Sequence, residues 1–432
     1  MERVQPVLGL VVMIALLVAF STQRRAIRWR VVLWGLSLQF IFALFVLHTG
    51  IGRAFFSGAN AAFVKVIQAS ESGAAFVFGP MGVKDHVPVG EIDRAGAFHQ
   101  AARQVAATGF NFAFRILPSI IFFSALMAIG YHLGVMQWIV RAFAKVMAVS
   151  MKTSGAETMS AAANIFVGQT EAPLMIRPYI NRMTRSELMA VMVGGFANTA
   201  GGVLVAYIIL LKDLVPDIGA HLLTSSVLTG PASLMMAKLL VPETEDSLTA
   251  GDLRIELPRT DANLLDAAAR GTTEGLTLAL NVAAMLLVFI ALVSLTDAAL
   301  AGVSTHLFRT QTPWSLSLIF GKVFWPLAWL MGVPPQDCPA VGNLLGVKTF
   351  VNEFVAYQQL ARTAGLSPRS YLIASYALCG FANIASIGIQ LGGIGAMAPD
   401  RRHDLARLGF QAMIVGSFAT FSAACVVAIL TG

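Results

Sequence analysis

Long runs without a charged residue alternate with short polar segments along this chain. Eight runs are long enough for a membrane-spanning helix: Val4–Gln23, Val31–Gly52, Ile116–Val140, Leu188–Leu211, Ile218–Ala237, Gly275–Thr296, Ser370–Pro399 and Leu408–Gly432. A helix rises about 1.5 Å per residue, so roughly 20 residues cross ~30 Å of hydrocarbon. Ser370–Pro399 exceeds one span. Its Gly388, Gly392, Gly393 and Gly395 predict a helix that ends near Gln390, with a loop after it.

Two further apolar stretches are interrupted. Ala156–Ile180 is broken by Gln169-Thr170-Glu171 and Pro173. Trp314–Leu360 is broken by Pro334-Pro335-Gln336-Asp337 and again by Asn352-Glu353. Proline after polar residues in mid-run argues against a continuous helix. Unpaired backbone at membrane depth is tolerated only where it lines a protein cavity. Both stretches therefore predict re-entrant helical hairpins. The pattern also repeats: Gly195-Phe196-Ala197-Asn198 returns as Gly380-Phe381-Ala382-Asn383, and the spacing from Glu171 to Asn198 resembles that from Glu353 to Asn383. The expected fold is an all-α integral membrane protein of about eight transmembrane helices and two re-entrant hairpins in inverted repeats, an architecture of secondary transporters.

Charge gives the orientation. Arg3 precedes the first run, whereas Arg24, Arg25, Arg28 and Arg30 follow it, and no small-x-small cleavage site ends it. This is the pattern of an uncleaved first helix that starts outside. Counting onward puts Arg141–Lys152, Arg182–Arg185 and Arg401–Arg407 in the cytoplasm, and Lys212–Asp217 and Thr310–Asp337 outside, in accord with the positive-inside bias. Residues 53–103 are more polar. Their first part reads as an amphipathic interfacial helix and the rest as an outside loop. Pro242–Pro258 reads as a polar linker between the halves.

Composition agrees. Hydrophobic residues make up 56% and charged residues 12%, about half the charged share of soluble domains. The net charge of +7 sits between apolar runs and forms no basic face, so nucleic acid is not an expected partner. Cys338, Cys379 and Cys425 read as small apolar residues, without a disulfide or metal pattern. No His-Glu-x-x-His, phosphate loop or Gly-x-Ser-x-Gly elbow occurs, so neither an enzyme nor an ATP-driven pump is expected.

Glu171 and Glu353 are the chemical centre of the reading. A carboxylate at mid-bilayer costs roughly 2.5–3.5 kcal/mol on insertion scales. It either serves a ligand, or lies at an interface, or pairs with an arginine such as Arg115 or Arg177. A fixed carboxylate accepts from vicinal hydroxyls and ring N–H groups, and the Gln169 amide both donates and accepts, as a nucleobase edge does. Gln169 and Thr170 alternatively cap a half-helix. Asn198-Thr199-Ala200-Gly201-Gly202 favours local unwinding in mid-span, and with Asn164 it offers oxygens for a hard cation. The same small residues also suit close helix packing. Asn383 and Ser386 are three apart, which puts them on one helical face, as ligands or as interhelical glue.

These residues together resemble the concentrative nucleoside transporter family. The motifs are Gly168-Gln169-Thr170-Glu171-Ala172-Pro173-Leu174 with Arg177-Pro178-Tyr179, then Val351-Asn352-Glu353-Phe354-Val355-Ala356-Tyr357, then Cys379-Gly380-Phe381-Ala382-Asn383. Phe76-Val77-Phe78-Gly79 and Leu117–Ser124 look similar to family segments as well. The resemblance covers nearly the whole chain, in the eight-span bacterial form. It implies a multi-pass inner-membrane homotrimer surrounded by lipid. The nucleobase would face Gln169, Thr170, Glu171 and Val203, and the ribose Glu353, Phe381, Asn383 and Ser386. A coupling sodium would lie among Asn164, the Val167 carbonyl, Asn198 and Thr199. At position 198 the resemblance implies a small hydroxyl residue, and this chain has asparagine. The expected function is cation-coupled nucleoside import with sodium as the ion; protons, or another polar solute, are the alternatives. On this reading 1–103, 104–153 and 241–312 form a scaffold, and 154–240 and 313–432 a transport part.

Overall fold

The computed structural model of the chain describes residues 3–79, 86–92, 98–107, 112–247, 261–308, 310 and 313–431. Segments 80–85 and 93–97 of the expected outside loop, 248–258 of the linker, and Gly432 lie outside these residues.

The first helices are α1 (Val4–Ala19), α2 (Trp29–His48) and α3 (Gly50–Phe78). An antiparallel pair follows, β1 (His86–Ile92) and β2 (Phe98–Ala107). Next come α4 (Phe112–His132), α5 (Val135–Met151), α6 (Gly155–Asn164), α7 (Arg177–Ile180), α8 (Arg185–Ala197), α9 (Gly201–Leu211) and α10 (Ile218–Leu240). The second half holds α11 (Leu264–Gly302), α12 (Leu316–Val323), α13 (Trp325–Leu330), α14 (Cys338–Phe350), α15 (Glu353–Arg362), α16 (Pro368–Leu378), α17 (Ile384–Met397) and α18 (Arg402–Thr431). The fold is all-α but for the strand pair.

Each of the eight charge-free runs lies in a helix or a broken pair of helices. Among the described residues six stretches are long and apolar enough to cross a membrane: Trp29–His48, Gly50–Phe78, Ala113–His132, Arg185–Leu211, Leu264–Leu307 and Pro399–Thr431. Helix α1 is too short for this measure. Helix α10 is diluted by its hydroxyls, Thr224, Ser225, Ser226, Thr229 and Ser233. Residues 50–78, expected to include an interfacial helix, form a continuous helix of spanning length. The outside loop contains the strand pair.

Two helical hairpins carry the polar motifs. The first descends α6, turns at Ile165–Glu171, and returns through a 3₁₀ turn, Ala172–Ile176, into α7. Pro173 and Pro178 open these two return elements, where a missing N–H costs nothing. The second descends α14, turns at Val351-Asn352 and returns along α15. Asn352 caps α15, its side chain accepting from Val355 N at 2.8 Å.

The unwound motif is also used twice, in different ways. Asn198 ends α8, and Ala200 leads into α9. The second long run breaks at Cys379–Asn383, so the expectation of a helix ending near Gln390 is corrected. Gly388 and Gly392 sit in open space inside α17, where a helix tolerates them at about 1 kcal/mol each relative to alanine. The break falls where capping is available. Asn383 accepts from Ser386 N at 2.8 Å and starts α17. The carbonyls at the end of α16 are bonded by the second hairpin: Lys348 Nζ donates to Ala377 O at 2.7 Å and Tyr357 Oη to Ser375 O. Asn383 and Ser386 therefore meet through a cap rather than through a shared helical face.

The two breaks touch. Phe381 N donates to Asn198 O at 3.2 Å, and a Cβ on Gly380 would stand 2.7 Å from Ala197 O and 2.8 Å from Thr420 Cγ2. Backbone cannot move aside as a side chain does. Gly380→Ala is expected to destabilise the protein by about 1–3 kcal/mol, the usual cost of overpacking. A lowered thermal midpoint of the purified protein checks this. Glycine serves closeness elsewhere too: α11 lies along α4, and a Cβ on Gly271 or Gly275 would meet backbone of Ala125 or Ile121 at 2.8 Å, the small-residue packing of membrane helices.

Candidate functional site

A buried polar seam joins both hairpins and both breaks. Glu353 opens α15, where the helix N-terminus favours negative charge. Its Oε1 accepts from Tyr207 Oη at 3.2 Å, and its Oε2 from Asn383 Nδ2 at 2.8 Å. Asn383 is thus oriented completely: its oxygen caps α17 while its amide donates to the carboxylate. Gln169, at the tip of the first hairpin, donates from Nε2 to Ser386 Oγ at 3.2 Å, and its Oε1 accepts from Gln390 Nε2 at 3.1 Å. Gln390 Nε2 also lies 3.1 Å from Met192 O on α8. Glu353 is 5% exposed and Gln390 wholly buried; pairing makes the carboxylate and the Gln390 amide nitrogen tolerable there, while Gln390 Oε1 is buried without a partner. Each hairpin reaches the broken helix of the other half: Gln169 meets α17, and Glu353 meets α9 through Tyr207.

The remaining substrate candidates surround this seam. Thr170 packs against Gly393, whose Cβ position is 2.6 Å from Thr170 Cγ2. Phe381 is half-buried at the second break, and Val203 is buried in the first turn of α9. Glu171 turns the other way. Its Oε2 accepts from Gly168 N at 3.2 Å, and its side chain is exposed to a cavity beside α4 and α11. It is not part of the seam. Arg115, one arginine considered as a partner, lies 3.9 Å from Glu71 instead.

The cation candidates lie behind the first tip. Asn164 Nδ2 donates to Ser160 O at 3.0 Å, and its Oδ1 is buried without a partner. Asn198 Nδ2 donates to Gly194 O at 3.2 Å, and its Oδ1 accepts from Thr229 Oγ1 at 2.6 Å. Gly194 lies against Asn164, whose Nδ2 is 3.1 Å from the Cβ position. Thr199 Oγ1 is 3.7 Å from Cys379 Sγ, and Val167 N donates to Ala163 O. The hydroxyl oxygens of Ser160, Ser225 and Ser226 are also buried without a partner. Uncharged oxygens of this kind suit a hard cation. Among the described residues no group of three or more His, Cys, Asp and Glu is placed to hold a metal.

Several contributors were missed in the sequence. Tyr207 and Gln390 pin the two key side chains, and Lys348, wholly buried, ties the second hairpin to α16 and to Thr420 Oγ1 at 3.0 Å. The signal for α10 was legible: five hydroxyls in one apolar run. A lone tyrosine in an apolar helix carries no such signal.

Three family models together match most of the chain. Residues 8–81 match the family model described as "Na+ dependent nucleoside transporter N-terminus", 113–214 "Nucleoside recognition", and 221–428 "Na+ dependent nucleoside transporter C-terminus". The sodium/nucleoside cotransporter 1 of Rattus norvegicus is 40% identical over 99% of this chain. Solute carrier family 28 member 3 of Homo sapiens is 40% identical over 98%. The chain spans 64% and 59% of the length of these two proteins. The solved structure of CNTnw in an inward-facing substrate-bound state is 40% identical, with a TM-score of 0.88 over 100% of this chain and 98% of that one.

Proposed function

The chain is a multi-pass membrane protein of the concentrative nucleoside transporter family, and from that premise we propose that it imports nucleosides by symport with sodium. The observation that carries this reading is the crossed pairing of the halves, in which Gln169 bonds Ser386 while Glu353 bonds Asn383 and Tyr207. A solute held there touches both halves at once, as alternating access around a central site requires.

The chemistry divides between the hairpins. Ribose hydroxyls donate to the Glu353 carboxylate and exchange with Asn383, while Ser386 and Phe381 close that end. The base edge is read by Gln169, with Thr170 beside it and Val203 as an apolar wall, while Glu171, which faces the cavity beside α4 and α11, meets the base from that side. Gln169, Glu353, Asn383 and Ser386 now have protein partners, so substrate replaces hydrogen bonds there rather than creating them, and a solute that cannot replace them is rejected. The sodium takes the Asn164 oxygen, the Val167 carbonyl, Asn198 and Thr199, with Ser225 and Ser226 nearby. Residues 154–240 and 313–432 then move against 1–153 and 241–312. The exposed apolar face of α11, with Leu280, Leu287 and Leu295, suits lipid or further copies in a homotrimer. An inner-membrane location accompanies the bacterial form that the chain resembles.

Withdrawing sodium at fixed pH is expected to lower uptake into liposomes at least about tenfold, because each oxygen ligand left unpaired costs about 1–3 kcal/mol. One observation favours the proton-coupled alternative: Thr229 already occupies the Asn198 oxygen at 2.6 Å. Uptake that ignores sodium and follows a proton gradient overturns the sodium site in favour of that alternative.

A further inference from the structure

We propose that the cavity where the start of α2, the end of α5 and the start of the linker meet binds the headgroup of phosphatidylethanolamine from the surrounding membrane. The cavity has a volume of about 490 Å³, within the range of small-ligand sites. No residue of either hairpin tip lines it. It lies at the end of the molecule that the arginine bias marks as cytoplasmic. Its lining carries both signs of charge. Arg28, at the start of α2, joins Lys145 and Lys152 at the end of α5, while the linker contributes Glu245 and Asp246. All five are exposed. Among the described residues none of the five side chains has an ion pair or a hydrogen bond. The other charges of the lining are committed to one another: Lys238 Nζ lies 2.7 Å from Glu157 Oε2 and 3.2 Å from Glu243 Oε2.

A ligand with an anion and a cation a few bonds apart meets both sets of charges. Arginine and lysine donate to phosphate oxygens. A primary ammonium offers three N–H donors, and the carboxylates of Glu245 and Asp246 can only accept. The quaternary nitrogen of choline has no N–H, and a glycerol headgroup has no cation. The apolar rim points to a lipid as the source of this group. Val149 lines the cavity and is 68% exposed, and Trp29, Trp138 and Val146 are exposed as well. At 3.6 residues per turn, Trp138, Val146 and Val149 share one edge of α5, and Arg141, Lys145 and Lys152 the adjoining edge. An acyl chain along the first edge leaves its phosphate at the second, as on interfacial helices, and tryptophan favours that depth. Arg30 fixes α2 to α5, donating from Nε to Ser150 O at 3.0 Å and from Nη2 to Val149 O at 3.4 Å, so the site is formed before the lipid arrives.

Native mass spectrometry of the purified, delipidated full-length protein tests the site, by titration with phosphatidylethanolamine, phosphatidylcholine and phosphatidylglycerol of equal chain length. Phosphatidylethanolamine is expected to bind at least about fivefold more tightly than either other lipid, the scale of one charge contact at a membrane surface. Lys145→Gln with Lys152→Gln weakens it roughly 25-fold, about fivefold for each cation. Glu245→Gln with Asp246→Asn abolishes the preference over phosphatidylglycerol. Both double variants change exposed side chains, and a monodisperse elution profile checks that they fold. Equal binding of the three lipids, tighter binding of another of them, or a preference that survives both double variants overturns the proposal. So does soluble phosphoethanolamine that displaces the lipid at equal concentration, which assigns the cavity to a water-soluble ligand instead.

Discussion

Glu353→Gln is expected to lower nucleoside uptake about 100-fold while the protein remains folded and inserted. The carboxylate sits between Tyr207 Oη and Asn383 Nδ2, and in the proposed transport reading it accepts from ribose. Hydrogen bonds to a charged group contribute roughly 1.5–3 kcal/mol each. A hundredfold loss is about 2.7 kcal/mol, or one to two such bonds. Glutamine keeps the volume and one acceptor, but it turns an N–H₂ toward Asn383 or toward the sugar. Uptake per transporter in liposomes checks this, with a monodisperse elution profile as the control for folding. Near-normal uptake would remove Glu353 from the site.

The second large effect concerns the base of the first hairpin. Lys238 Nζ lies 2.7 Å from Glu157 Oε2, 3.2 Å from Glu243 Oε2 and 2.9 Å from Ser186 Oγ. Glu157 also accepts from Ser154 N at the start of α6, and Thr184 Oγ1 at the start of α8 donates to Glu243. One ammonium thus joins the first hairpin, α8, α10 and the start of the linker, which is packed here rather than free. Lys238→Met leaves two buried carboxylates without their cation, and breaking a buried pair typically costs about 3–5 kcal/mol. A marked fall in thermal midpoint is expected, with partial recovery when Glu157→Gln is added. A midpoint equal to wild type would mean that the cluster carries no net stability.

The features legible in the sequence were those in which chemistry conflicts with surroundings. A glutamate in an apolar run has a high cost wherever it lies, so Glu353 stood out, and the polar and glycine residues from Asn198 to Gly202 marked the first break. Glycine misled at Gln390. Gly388 and Gly392 resemble a helix end on propensity alone, but tertiary packing supports the helix through them, and the true break lies where Asn383, Lys348 and Tyr357 offer caps. Partners distant in sequence were illegible for the same reason. Nothing near Tyr207 or Gln390 reports that each faces a hairpin tip from the other half. Glu171 and Glu353 look alike in one dimension, yet a turn at Gly168 sends Glu171 to a cavity while Glu353 stays in the seam. Which wall a residue faces depends on the turn geometry, and the apolar pattern does not encode it.

The most direct test is an experimental structure of the protein saturated with uridine and sodium. The account predicts ribose hydroxyls within hydrogen-bonding distance of Glu353 and Asn383, and the base edge at Gln169. A nucleoside seated away from both hairpin tips, with the bonds from Asn383 and Tyr207 to Glu353 intact, would contradict it.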